Sequence, residues 1–260
     1  MTTLFLYHGE PTGPSLTVLA ALFESGLAAD LLHIDLAMAQ RHAGEVPLGF
    51  EANYSVEGEG PVLVVDGEPT VDSVFIGCLL DDLAPQSGLR PTDPYLRWEM
   101  MAWCRWMIER LAPGAAALAN IAWTTPRLAA LDDAEFEGLV APIEADDLRD
   151  RWRQTRAGLL SDDHRKASEA RVHEATKKID DRLADRDWIM GDFSLADLES
   201  YAWVAPMRDL IPAAFEGKPR LAAWLERVKT RPSVARALAQ AQKPEPAHGF
   251  APGPEINRWG

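Results

Sequence analysis

Apolar and polar positions along this chain fall into two regimes. In the first, short apolar runs are punctuated by turn residues. Leu4 to His8 predicts a strand, and Leu16, Leu19, Ala20 and Phe23 recur at helical spacing across Ser15 to Ser25 before a stop at Gly26. Leu31 to Leu36 alternates as a second strand. Val62 to Val65 is a β-branched run, Asp66-Gly67 is the favoured pair for a tight hairpin turn, and Thr70-Val71 begins the return strand. Asp72 and Ser73 then precede Val74, Phe75, Ile76, Leu79 and Leu80, which predicts a helix start carrying a carboxylate and a hydroxyl.

The second regime is helical. Residues 85–94, Pro-Gln-Ser-Gly-Leu-Arg-Pro-Thr-Asp-Pro, are rich in breakers and read as a linker. From 95 to 242 the pattern is almost wholly helical, beginning with Trp98, Met101, Ala102, Arg105, Trp106 and Glu109 on one long amphipathic helix. Ser194 stands three residues before Asp197, the spacing of a capping box. A Pro-rich tail, residues 243–260, closes the chain, too apolar for a plain linker and suited to packing over a site or a neighbouring subunit. The element order therefore predicts an α/β thioredoxin-like N-terminal domain over 1–84 and an all-α C-terminal domain over 95–242. In the first of these, the first βα turn and the loop before Val62 meet at one edge of the sheet.

Composition narrows the function. In 260 residues, 26 Lys and Arg face 40 Asp and Glu, a formal charge of −14, which repels nucleic acid and anionic membrane. No apolar run is long enough to span a bilayer, and the start of the chain lacks the pattern of a secretion signal, so a cytoplasmic location is expected. Cys78 and Cys104 lie within helical patterns and read as buried free thiols. The six histidines show no i, i+4 pairing, so no metal site is expected.

The segment Gly58 to Ser73, with its Gly60-Pro61 turn, hairpin and Asp72-Ser73 helix start, resembles the glutathione-binding end of the glutathione S-transferase superfamily. So do Ser194-Leu-Ala-Asp197 with its hydrophobic lead, and Pro219 to Pro232. The resemblance implies glutathione as co-substrate, a cis Pro61 with Gly60 clamping the cysteinyl part, and Asp72 and Ser73 anchoring the γ-glutamyl end. The first amides of a helix are unpaired donors suited to a carboxylate, and Asp72 can answer an ammonium group.

A transferase must make a thiolate from a thiol of pKa about 8.5, and lowering that by two units takes roughly 2.7 kcal/mol. A hydroxyl plus helix N-terminal amides can supply it. In the turn Glu10-Pro-Thr-Gly-Pro-Ser15 two hydroxyls compete for the role: Thr12, where many family members place the activating Ser, and Ser15, which opens the helix. Gly88 to Pro94, the tryptophan-rich helix and the long insertion Ile121 to Gly158 are most similar to bacterial lignin β-etherases. That branch implies cleavage of β-aryl ethers, with Trp103, Trp106, Met107 and Trp123 as candidate walls for a flat aromatic substrate. Pro14 stands where those relatives carry an Asn, so the chain is expected to be either an enzyme using another hydroxyl or a silent subunit. A homodimer, or a heterodimer with another transferase chain, is implied in either case. A maleylacetoacetate isomerase-like or dehalogenating transferase is a further alternative.

Overall fold

The structure, a computed structural model, describes residues 2–43 and 60–252. Four strands, β1 (Leu4–His8), β2 (Asp30–His33), β3 (Val62–Val65) and β4 (Glu68–Thr70), form one sheet in the order β2-β1-β3-β4. β1 runs parallel to β2 and antiparallel to β3, and β3 pairs antiparallel with β4. The crossover from β1 to β2 is α1 (Gly13–Ser25), and β4 leads into α2 (Ser73–Leu83). The hairpin turn is two residues long, because Val65 pairs directly with Glu68, so β4 begins two residues earlier than Thr70. Asp66 and Gly67 have φ of 50° and 94°, the backbone such a turn demands of its two central residues.

Three expectations shift at element ends. The first helix begins at Gly13, which makes Thr12 its N-cap residue and puts Ser15 at the third helical position. The second strand stops at His33, with a 3-10 turn following at Leu36–Met38. No cis peptide bond occurs among the described residues, Gly60–Pro61 included. A trans X-Pro bond is the intrinsically favoured isomer, and here it delivers the chain straight into β3.

The helical region begins with α3 (Pro94–Trp106), capped by the Asp93 carboxylate accepting from the amides of Tyr95 and Leu96. It runs on through two wide π turns, Met107–Leu111 and Asn120–Thr124, between which lies α4 (Ala112–Ala119), and ends in α5 (Thr125–Ala129). Each π turn is followed at once by a segment holding Pro113 or Pro126, and a proline has no N–H to close the ordinary helical bond. Next come α6 (Asp133–Val140), α7 (Asp146–Arg156) and the long α8 (Asp162–Arg182). The last four are α9 (Leu195–Val204), α10 (Met207–Leu210), α11 (Pro219–Lys229) and α12 (Pro232–Leu238).

One core joins sheet and helices. Leu6, Leu19, Leu63 and Ile76 from the first part share it with Met107, Leu195 and Trp224 from the second. The central helix α9 packs against α1, α2 and α3, and every one of its ten residues is buried. Gly77 permits this approach, since a Cβ there would lie 2.4 Å from Leu195 Cδ2. At the start of α9, Asp197 accepts from the Ser194 amide at 3.1 Å, the Ile189 amide at 3.0 Å and Trp224 Nε1 at 2.8 Å. Burial nevertheless pushes this carboxyl up to about 6.

Candidate active site

The register of β1 against β3 brings the site together. Tyr7 pairs with Val62, so one step further along the same ladder Pro61 and Gly60 come beside His8 and Gly9, where the first βα turn begins. Thr70 pairs with Leu63, which carries the end of β4, and with it Asp72 and Ser73, to the same edge. Two helix N-termini thus face one corner of the sheet, an arrangement suited to a ligand with separated anionic groups.

Thr12 and Ser15 are treated differently by their surroundings. Ser15 Oγ is buried and accepts the Gly9 amide at 3.0 Å, so it holds the turn against the strand end. Thr12 is 6% exposed, and its Oγ1 has no hydrogen-bond partner among the described residues. Its backbone is extended, with φ −143° and ψ 156°, and its side chain makes no capping bond. An orphaned buried hydroxyl costs about 1 to 3 kcal/mol unless something bonds it, and it stands at the positive end of α1. Pro14, at the second position of that helix, withholds an amide, leaving Gly13 and Ser15 as the first-turn donors beside Thr12.

At the other helix start, Asp72 occupies the N-cap position with φ 67° and ψ 121° and makes no side-chain capping bond. Positive φ in a residue with a Cβ costs about 1 to 3 kcal/mol and concentrates at functional positions. Ser73 is buried, and its hydroxyl donates to Glu199 Oε2 at 2.9 Å. Glu199 also accepts from Trp203 Nε1 at 2.7 Å. Burial raises the Glu199 pKa against the pull of these donors. Its signal in the sequence is a carboxylate two residues after Asp197, amid Leu198, Tyr201, Ala202 and Trp203, which the hydrophobic periodicity by itself does not single out.

The four proposed wall residues separate. Trp103 is buried, with Nε1 donating to Ser200 Oγ at 2.9 Å and Lys178 over its ring. Met107 is fully buried in the main core, and Trp106 packs against that core under Lys178. Trp123 alone of the four is linked to the first βα turn, through Phe250: the two ring centroids are 6.2 Å apart, and Phe250 Cε1 lies 3.3 Å from where a Cβ on Gly13 would be. Burial pushes the Cys78 thiol up and the Cys104 thiol well up, so neither is a ready thiolate. Among the described residues no group of three or more His, Cys, Asp or Glu side chains is placed to hold a metal ion, and no helix is long and apolar enough to cross a membrane.

Residues 157–232 match the family described as glutathione S-transferase, C-terminal domain. Residues 157–232 thus carry the pattern of that C-terminal domain, and the fold as a whole is similar to that of glutathione S-transferases. In sequence the chain is 28% identical to Protein LigF of Sphingobium sp. (strain NBRC 103272 / SYK-6), over 93% of this chain and 95% of that protein. The crystal structure of the β-etherase LigF from Sphingobium sp. strain SYK-6 superposes with a TM-score of 0.82 at 26% identity, covering 92% of this chain and all (100%) of that one. A glutathione transferase homologue from Sulfitobacter with bound glutathione shares the fold, with a TM-score of 0.61 at 19% identity over 92% of this chain and 99% of its own.

Proposed function

We propose that this chain is a cytoplasmic, dimeric, glutathione-dependent β-etherase acting on β-aryl ethers of lignin-derived aromatics. The observation that carries the reading is the buried, unpartnered Thr12 hydroxyl at the N-terminus of α1, in a fold similar to that of a β-etherase. Glutathione takes its cysteinyl contact from Gly60-Pro61 and its γ-glutamyl contact from Asp72 and the first amides of α2. Thr12 Oγ1 donates to the sulfur, and the helix amides add to thiolate stabilisation. The thiolate then attacks the carbon bearing the aryloxy group, which is made electrophilic by a neighbouring ketone. A C–S bond forms, the C–O bond breaks with its electron pair going to oxygen, and the phenolate leaves to be protonated. Trp123 supplies a flat wall for the aryl group. Phenol release from a β-aryl ether ketone with glutathione, compared between the native chain and Thr12→Val, tests the reading.

A second reading is a silent subunit that supports an active transferase partner. Pro14 favours it, since this residue brings neither an amide donor nor a polar side chain to the turn. Co-purification from the native host, followed by the same assay on the isolated chain, separates the two.

A further inference from the structure

The described part of the tail does not leave the molecule. It crosses from the helical region onto the sheet edge, and it is wrapped around Glu10 of the first βα turn. Glu10 Oε2 accepts the amides of Gln242 at 3.1 Å and Lys243 at 3.4 Å. Lys243 Nζ bonds Asp35 Oδ2 at 2.6 Å, and Arg127 Nη2 reaches the same oxygen at 3.0 Å. Gly249 passes so close that a Cβ there would lie 2.6 Å from Glu10 Cβ. Beyond it, the Phe250 carbonyl accepts from Thr124 Oγ1 at 2.5 Å, and Ala251 joins the apolar cluster of Tyr7, Ile34, Leu36 and Val62.

The Phe250 ring is buried between the two parts of the fold. Its Cε1 lies 3.3 Å from where a Cβ on Gly13 would be, and Trp203 and Trp123 lie with ring centroids 5.8 Å and 6.2 Å away. His248 stacks on Trp123, centroids 4.6 Å apart with planes at 20°. An aromatic ring thus already occupies a slot with aromatic neighbours, next to the turn that carries Thr12. The attachments are of a reversible kind. Both partners of the Lys243–Asp35 pair are part-exposed, His248 is exposed, and the segment has no regular structure beyond a 3-10 turn at Pro246–His248. Lifting the segment also breaks its bonds to Glu10 and Thr124 and exposes Phe250 and Ala251, but it breaks no strand or helix pairing, so it can open as a local unit without global unfolding.

We propose that Gln242 to Pro252 is a strap that closes the site on itself, with Phe250 a self-ligand in the slot that takes the aryl ring of the second substrate. The aryl ring and Phe250 compete, and the strap lifts when the substrate ring enters. The aryl class of the ligand rests on the functional reading given above; the competition rests on the packing of Phe250. Any fraction of molecules with the strap seated lowers the apparent aryl affinity in proportion.

The test uses the full chain with 2-phenoxyacetophenone as aryl probe, read by tryptophan fluorescence, and with glutathione titrated separately by calorimetry. Phe250→Ala empties the slot, and Gly249→Ala prevents the strap from seating while leaving the slot's residues alone. Each tightens probe binding by about tenfold or more. Weaker or unchanged probe binding in Gly249→Ala, or no probe binding in any form, overturns the proposal. If either variant fails to fold, hydrogen exchange on the native chain decides: the probe speeds exchange of the Gln242 and Lys243 amides by about tenfold, whereas unchanged or slower exchange overturns the strap. Absent glutathione binding alongside the expected probe response removes the transferase reading and leaves the strap standing. Normal glutathione binding with no probe response does the reverse.

Discussion

Ser73 Oγ lies 2.9 Å from Glu199 Oε2, a buried bond that joins the start of α2 to the middle of α9. With Trp203 on its other oxygen, Glu199 satisfies two donors at once. Glu199→Leu keeps the approximate size but removes both acceptor oxygens, so Trp203 Nε1, which can only donate, loses its buried partner. Urea unfolding is expected to show a loss of about 1 to 3 kcal/mol, the scale for an orphaned buried polar group. Unchanged stability would mean that the carboxylate does not hold the two helices together.

At Asp72 the backbone and the side chain make opposite demands. Glycine accepts φ of 67° without penalty, while the carboxylate is the group proposed to answer the glutathione ammonium. Asp72→Gly therefore relieves the backbone strain and stays folded, yet weakens glutathione binding by about 1 to 3 kcal/mol, the cost of a charge-assisted hydrogen bond. Calorimetry and denaturation on the same preparation check both halves, and unaltered affinity would remove Asp72 from the site.

Much of the fold was legible because local chemistry encodes it. Asp66-Gly67 demands positive φ, and that fixed the hairpin; Ser194 and Asp197 at capping-box spacing marked the start of α9. Less legible was whatever long-range packing decides. Thr12 and Ser15 are indistinguishable as hydroxyls in a turn, and only the fold shows that Ser15 Oγ accepts the Gly9 amide while Thr12 Oγ1 has no partner among the described residues. The competition between Phe250 and a substrate depends on contacts between residues more than two hundred positions apart, and no local pattern carries that. The trans Pro61 corrects an expectation drawn from likeness to a family and not from the residues themselves.

Asp197 gives the pH dependence a sign. Unfolded, an aspartate titrates near 3.9; folded, this one is pushed up to about 6 by burial. Between those values the folded chain keeps a proton that the unfolded chain has released, so its contribution to stability is greatest at low pH and is lost as the pH rises from about 4 to about 6. Asp197→Asn cannot titrate. The unfolding free energy of the native chain minus that of the variant is expected to fall across that window, by at most about 3 kcal/mol, the free-energy equivalent of the gap between the folded and unfolded pKa. A difference that stays flat or rises would contradict it.

Phe75 on α2 and Tyr95 and Trp98 on α3 are all more than half exposed, and the last two lean on one another with centroids 5.4 Å apart. Large apolar rings left in water on neighbouring helices suit a subunit contact. Asp81, on the same helix as Phe75, is itself buried and receives Arg90 Nε at 2.7 Å and Ser87 Oγ at 2.8 Å. Sedimentation at micromolar concentration is expected to give a dimer for the native chain and a monomer for Trp98→Glu. A native monomer would remove both the homodimer and this face as the contact.

The central claim is that Thr12 activates the sulfur of glutathione, and turnover in the isolated chain tests it most directly. Thr12→Val keeps the shape and deletes the hydroxyl, while Ser15→Ala leaves the buried Gly9 amide without its acceptor. With a β-aryl ether ketone and glutathione, phenol release is expected to fall by about tenfold or more in Thr12→Val, roughly 1.4 kcal/mol of lost transition-state stabilisation. Ser15→Ala is expected to lose stability and to retain most of its turnover once folded. Phenol release in the isolated native chain that is indifferent to Thr12→Val, or that appears only when a partner transferase is added, would contradict the account.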